Sequence, residues 1–138
     1  MRSGKECAHW ETMGIEPSEK ARTKAKEKGV LLQADFSNLL PHSFDVITMW
    51  HVLEHVPDVT QEIQIISKLL KKDGLAVIAV PNYRSWDAQH YKEHWAAYDV
   101  PRHLWHFSKK SIEQLFAKEG FQLLAIHPML FDAFYVSM

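Results

Sequence analysis

The sequence has little cysteine, little glycine and no long apolar run. Of its 138 residues, Cys7 is the single cysteine, which excludes an internal disulfide and a thiolate metal cluster built from one chain. Met1–Trp10 has no apolar run after its basic residues, and no later stretch approaches the ~18 apolar residues that cross a bilayer. We therefore expect a cytoplasmic protein that is not bound to a membrane.

Charge of one sign is also lacking. The chain carries 16 Lys and Arg against 17 Asp and Glu, a formal net charge of -1. This balance gives no electrostatic reason to expect nucleic acid as a partner, so we expect a small molecule or a protein. The length of 138 residues and 46% hydrophobic content fit a single domain over residues 1–138.

Apolar segments and helix-forming segments alternate along the chain. Helices are predicted over 19–28, 59–72 and 108–118, between strands that end near Glu16, Asp35, Trp50, Val80 and Ile126. This alternation predicts an α/β, Rossmann-like fold, with a mostly parallel sheet and flanking helices. Because Phe44–Trp50 and Leu75–Val80 are almost continuously apolar, we expect them to be parallel neighbours at the sheet centre, joined by the 59–72 helix in a right-handed crossover.

In residues 82–107 the apolar residues recur with neither the helical nor the strand period. This insert holds three tryptophans, Trp86, Trp95 and Trp105, together with four histidines. Long irregular segments are more often functional than idle, so we expect the insert to contact a substrate.

Acidic residues follow the first two predicted strands, at the sheet edge where α/β proteins bind ligands. A carboxylate at Glu16 suits the two hydroxyls of a ribose. Asp35 and Phe36 together offer a carboxylate for an exocyclic amine and a ring for stacking. Taken alone, each acidic residue is also consistent with an ordinary solvent-exposed turn that binds no ligand.

The order and spacing of several short motifs carry a family resemblance over nearly the whole chain. They resemble class I S-adenosylmethionine-dependent methyltransferases. The segments are Gly14–Ser18, Gln33–Asp35, Phe44–Ile47, His51–Asp58, Leu69–Gly74, Val80–Asn82 and Asp99–Ser108.

This resemblance implies S-adenosylmethionine as the cofactor. It implies that Glu16 holds the ribose, that Asp35 and Phe36 hold the adenine, and that Trp50 and His51 hold the methionine side. In such enzymes the methyl group passes by direct displacement from a sulfonium to the acceptor, so positioning and desolvation carry much of the rate.

The resemblance also implies a substrate side. Glu54 and His55 would line the wall of the site, and the 82–107 insert would cover the acceptor. The candidates for binding an anionic group or removing a proton from the acceptor are Arg102, His103 and His106.

The chain departs from the family at its beginning. A complete domain of this type opens with a strand and a glycine-rich turn, whereas Gly4 is the only glycine before Gly14. We therefore expect an incomplete domain that binds S-adenosylmethionine weakly or not at all. Strand edges left unpaired also predict a homo-oligomer or a complementary subunit.

Two other functions compete with methyl transfer. His51-x-x-Glu54-His55 and His90-x-x-Glu93-His94 match a zinc-peptidase pattern, which requires a helix. Because a predicted strand precedes His51 and Pro57 follows His55, we predict no metal site. The second alternative is a non-catalytic remnant of the fold whose aromatic insert binds a partner.

Overall fold

The computed structural model describes residues 10–129. The chain divides between Leu40 and Pro41 into two compact units. Cys7 and the tail after Met129 lie outside the described residues. No helix within residues 10–129 is both long and apolar enough to cross a membrane.

The first unit is a small strand–helix–strand element. Strand β1 (Gly14–Ile15) pairs in parallel with β2 (Leu32–Gln33), and helix α1 (Glu19–Glu27) connects them. The Ser18 hydroxyl accepts from the Ala21 N–H at 3.4 Å, and Gly29 follows the helix with a φ of 77°. The predicted helix start and glycine stop are confirmed, but both strands are shorter than predicted.

The second unit contains the longer parallel pair. Strand β3 (Phe44–Trp50) lies beside β4 (Leu70–Ala79), with helix α2 (Val59–Leu69) between them in sequence. Both Thr60 and Gln61 donate their N–H groups to the Asp58 carboxylate, which caps α2. The parallel pairing predicted for β3 and β4 is confirmed.

One face of α2 fills the core of this unit. The helix buries apolar residues at spacings of three and four positions, as an amphipathic helix should. The buried cluster comprises Met49, Leu53, Val59, Ile63, Ile66, Leu70, Phe107 and Phe116. Because Leu53 and Phe107 belong to it, the loop after β3 and the end of the insert are anchored by the same core.

The predicted boundary between α2 and β4 is wrong. The sequence favours helix to Lys72, whereas the helix ends at Leu69 and Leu70 already pairs with Phe44. A bulge follows, because Val46 next pairs with Leu75. Backbone bonds from His42 and Ser43 to the carbonyls of Lys68 and Leu69 add to this pairing, and they outweigh the helix propensity of the lysines.

Short helices occupy much of the insert that was predicted to be irregular. They are α3 (Trp86–Tyr91) and two 3₁₀ helices, Lys92–His94 and Ala96–Tyr98. A second buried cluster of Ala88, Trp95 and Ala97 holds them together. Helix α4 (Lys109–Lys118) follows, capped by Ser108 as predicted.

The predicted strand Phe121–Ile126 is absent. Residues 121–129 have no regular secondary structure, and Leu123, Leu124 and Ile126 are exposed. An apolar run becomes a strand only where a neighbour completes its hydrogen-bond ladder, and no segment within residues 10–129 pairs with this one.

Candidate functional site

Glu16 lies at the carboxyl end of β1, where sequence analysis predicts it. Its N–H donates to the Gln33 carbonyl at 2.9 Å, and its Oε1 accepts from the Ser18 N–H at 2.8 Å. Arg22 Nη1 donates to the carbonyls of Glu16 and Pro17, each at 2.7 Å. The turn after β1 is thus fixed by Arg22, and it presents a carboxylate at the sheet edge.

Asp35 and Phe36 follow the end of β2. Asp35 Oδ1 accepts from the Ser37 N–H at 2.8 Å. Hydrogen bonds from the Ser37 side chain and backbone lower the pKa of Asp35, and the positive charge of Arg22 contributes less. Asp35 is exposed and Phe36 is half-buried, so an ionised acceptor lies next to an aromatic ring in the chain.

The loop after β3 begins with an unusual backbone conformation. Trp50, the last residue of β3, is 50% exposed. His51 has a φ of 54°, and its N–H donates to the Ala79 carbonyl at 3.0 Å. Left-handed residues other than glycine cost about 1–3 kcal/mol and cluster at functional sites. The chain therefore turns sharply at the carboxyl edge of the β3–β4 sheet.

Glu54 is the buried acid of this loop. It is 1% exposed, and neither of its carboxylate oxygens has a hydrogen-bond partner among residues 10–129. His51 Nδ1 lies 3.4 Å from Glu54 Oε1, a contact without hydrogen-bond geometry that is an ion pair only when the imidazole is protonated. A buried carboxylate is costly unless it is paired, which makes Glu54 the most conspicuous polar group of the second unit.

The end of the insert packs on this loop. The Glu54 carbonyl accepts from the N–H groups of Leu104 and Trp105 at 2.8 and 3.2 Å. Phe107 forms a parallel bridge to Asn82, just beyond β4, and its carbonyl accepts from the Tyr83 N–H at 3.0 Å. Residues 102–107 are therefore held against the loop after β3.

A tight turn at Asp99 organises the polar residues of this segment. Asp99 has a φ of 37°, and its carbonyl accepts from the N–H groups of Arg102 and His103. Arg102 also donates from Nε and Nη2 to Asp99 Oδ1 at 3.0 and 2.7 Å. Since Asp99 already balances its charge, Arg102 is poorly suited to hold an anionic substrate by itself.

His103 and His106 each bond a backbone carbonyl. His103 Nδ1 lies 2.8 Å from the Ala97 oxygen, and His106 Nε2 lies 3.1 Å from the Tyr98 oxygen. A carbonyl can only accept, so the bonded nitrogen carries the hydrogen. In the neutral rings the lone pair therefore lies on His103 Nε2 and on His106 Nδ1, and each can accept a proton.

His55 joins this group from the loop side. Its Nδ1 lies 3.0 Å from the Arg102 carbonyl oxygen. Potential ligand atoms of Glu54, His55 and His103 all lie within 4.8 Å of one another. Sequence analysis missed this cluster because it grouped His55 only with residues close in sequence, whereas 47 positions separate His55 from the Arg102 that bonds it.

The zinc-peptidase pattern requires a helix, and neither of its two copies in this chain lies on a single helix. Residues 51–55 form turns after β3. The second pattern is broken where α3 ends at Tyr91 and Lys92 takes a φ of 49°. Its Glu93 and His94 side chains are 76% and 85% exposed.

Comparison with known proteins identifies the family of this chain. Residues 4–126 match the family model described as a methyltransferase domain. The chain belongs to this methyltransferase domain family. The resemblance to class I S-adenosylmethionine-dependent methyltransferases is thus confirmed.

Relatives of the methyltransferase domain support this assignment. A ubiquinone biosynthesis O-methyltransferase from Vibrio cholerae is 43% identical over 68 residues, which cover 45% of this chain and 28% of the Vibrio protein. The chain therefore spans under a third of that relative.

Solved structures show the fold of the methyltransferase domain. A possible histamine N-methyltransferase from Thermotoga maritima has a TM-score of 0.69 at 24% identity, over 81% of this chain and 55% of that one. The YcgJ protein from Bacillus subtilis has a TM-score of 0.58 at 24% identity, over 78% and 50%. The predicted Rossmann-like α/β fold is confirmed.

Proposed function

We propose that this chain transfers a methyl group from S-adenosylmethionine to a hydroxyl oxygen of its acceptor. The observation that carries the proposal is the contact between residues 102–107 and the loop after β3, because it brings two histidines with assigned lone pairs to the carboxyl edge of a parallel sheet. Oxygen is favoured over nitrogen because the Vibrio relative is named as an O-methyltransferase.

The donor set of the chain fits the proposed cofactor. Glu16 and Asp35 supply exposed or half-exposed carboxylates after β1 and β2, which suit ribose hydroxyls and an exocyclic amine. Within the first unit, we also assign Phe36 to stacking on the adenine. When bound, S-adenosylmethionine supplies an electrophilic methyl group to the acceptor oxygen.

A hydroxyl acceptor must lose its proton during this reaction. His106 Nδ1 and His103 Nε2 are the proposed proton acceptors, since the other nitrogen of each ring is bonded to a carbonyl. Arg102, paired with Asp99, holds the turn in which His103 lies. General base catalysis typically contributes 10²–10⁴-fold to a rate.

The test is methyl transfer from S-adenosylmethionine that carries a deuterated methyl group. The 138-residue chain is incubated with millimolar cofactor and a panel of phenols and amines, and products are identified by mass spectrometry. We expect label on phenol oxygens, with a rate that falls at least about 100-fold when both proposed bases are replaced in the His103→Gln/His106→Gln variant.

The matched control is His94→Gln, which changes an exposed histidine of the same insert and should leave the rate unchanged. Label on amines alone would contradict the oxygen acceptor. An unchanged rate in the double variant would contradict the assignment of the bases.

A further inference from the structure

We propose that Glu54, His55 and His103 bind one divalent transition metal ion, of which Zn²⁺ is the best match. The inference is independent of the methyl acceptor and of the proposed cofactor contacts. It depends on three observations: a buried acid without hydrogen bonds, two histidines with matching tautomers, and the spacing of their ligand atoms.

Glu54 provides the first observation. Both of its oxygens are buried, neither has a hydrogen-bond partner in the part of the chain that the structure describes, and the residue is 1% exposed. An ionised carboxylate in such a place requires a positive charge nearby. A metal ion bound to either oxygen would supply that charge.

The two histidines provide the second observation. His55 Nδ1 lies 3.0 Å from the Arg102 oxygen, and His103 Nδ1 lies 2.8 Å from the Ala97 oxygen. In both neutral rings the hydrogen is therefore on Nδ1, and the lone pair is on Nε2. Metal-binding histidines almost always donate their other N–H to a carbonyl or carboxylate, as these two do.

The spacing provides the third observation. The ligand atoms lie within 4.8 Å of one another. Ligands at ~2.1 Å from a tetrahedral zinc ion are ~3.4 Å apart, so the longest of these separations must shorten by up to roughly 1.4 Å. The His55 and His103 rings already meet edge to face, with centroids 4.6 Å apart, so rotations of the three side chains would be enough to close the site around an ion.

The ligand types decide which metal is expected. Two imidazoles and one carboxylate suit Zn²⁺ and other first-row ions, whereas Mg²⁺ prefers oxygen ligands and water. Three protein ligands also leave a position open for water or another oxygen ligand. Since the metal would use the lone pair of His103, it would leave His106 as the base in the proposed reaction.

A different account of Glu54 needs no metal. Glu54 Oε1 lies 3.4 Å from His51 Nδ1, and Asp99 Oδ2 lies 3.8 Å from His103 Nε2. The cluster could then be an assembly of carboxylates and protonated histidines. Only the metal site predicts saturable binding of one zinc ion that involves Nε2 of His55 and His103.

The experiment is a Zn²⁺ titration of the untagged 138-residue chain. Binding is measured by calorimetry, and the ligand atoms are identified by imidazole ¹⁵N NMR. We expect one ion per chain, with coordination shifts at Nε2 of His55 and His103, and much weaker binding of Mg²⁺. His103→Gln should weaken zinc binding at least about tenfold, a loss that even an outer-shell partner can cause.

Two further variants keep the test interpretable if the buried acid is needed for folding. Glu54→Gln is matched in size, and His55→Gln changes an exposed ligand; each should also weaken binding at least about tenfold. The control His94→Gln should bind zinc as the parent does. Absence of zinc binding, or equal weakening in His94→Gln, would overturn the proposal.

Discussion

The indole Nε1–H of Trp105 donates a hydrogen bond to the Val56 carbonyl at 2.7 Å. This bond joins the end of the insert to the loop after β3, next to the bonds that Leu104 and Trp105 make to the Glu54 carbonyl. The position of His103 and His106 relative to that loop therefore depends on contacts between segments that are distant in sequence.

Trp105→Phe removes this bond while it keeps an aromatic ring. We expect the free energy of unfolding to fall by about 1 kcal/mol, the net value of a typical hydrogen bond, as measured by urea denaturation followed by circular dichroism. Trp86→Phe is the control, because Trp86 is 70% exposed, and its change should stay within about 0.5 kcal/mol. Equal losses in the two variants would contradict the importance of the bond.

Gly74→Ala tests the bulge between β3 and β4. A Cβ at this position would lie 2.9 Å from Leu70 Cδ2, 3.0 Å from the Lys71 oxygen and 3.2 Å from the Asp45 oxygen. Because two of these contacts are to backbone, we expect a loss of about 1–3 kcal/mol in thermal or urea unfolding. The neighbouring exposed change Asp73→Ala should cost much less, and a neutral Gly74→Ala would show that the bulge adjusts freely.

The sequence correctly predicted the helix ends and strands that depend only on neighbouring residues. Ser18, Gly29 and Ser108 lie where caps and stops were expected, and the apolar run Phe44–Trp50 is a strand. The start of β4 was mispredicted because it depends on Phe44 pairing with Leu70. That contact is set by the chain's tertiary structure, and no local propensity reports it.

The candidate site was predictable only in part. Motif order predicted that the loop His51–Asp58 and the segment Asp99–Ser108 belong to one site, and the two are hydrogen-bonded to each other. The burial of Glu54 and the carbonyl partners of His55 and His103 could not be read from sequence, because each depends on a long-range contact or a turn geometry.

The pKa of Asp35 provides a test of the turn after β2. Hydrogen bonds from Ser37 lower this pKa, so they favour the folded state at pH values above the ordinary pKa of aspartate, and that contribution is lost as the pH falls through the lowered value. Ser37→Ala should raise the pKa of Asp35 in an NMR titration. Ser67→Ala, which loses a hydroxyl bonded to the Glu119 carbonyl, should leave it unchanged; the same shift in both variants would contradict the assignment.

Self-association remains a prediction of the strand edges. Within residues 10–129, β3 pairs with β4 alone, which leaves its other edge without a strand among the described residues. Such edges are templates for pairing with another chain. We expect sedimentation velocity to show a concentration-dependent dimer or larger species, whereas a monomer at high micromolar concentration would contradict this expectation.

Binding of S-adenosylmethionine tests the account most directly. The sequence has no Gly-x-Gly-x-Gly turn, and losing three or four of its hydrogen bonds at about 1 kcal/mol each should weaken a micromolar affinity by about two to three decades. We therefore predict, in an NMR titration of the 138-residue chain, millimolar binding at most, with any saturable shifts at Glu16 and Asp35 reduced by Glu16→Ala. Micromolar binding, or shifts that Glu16→Ala leaves unchanged, would contradict the account.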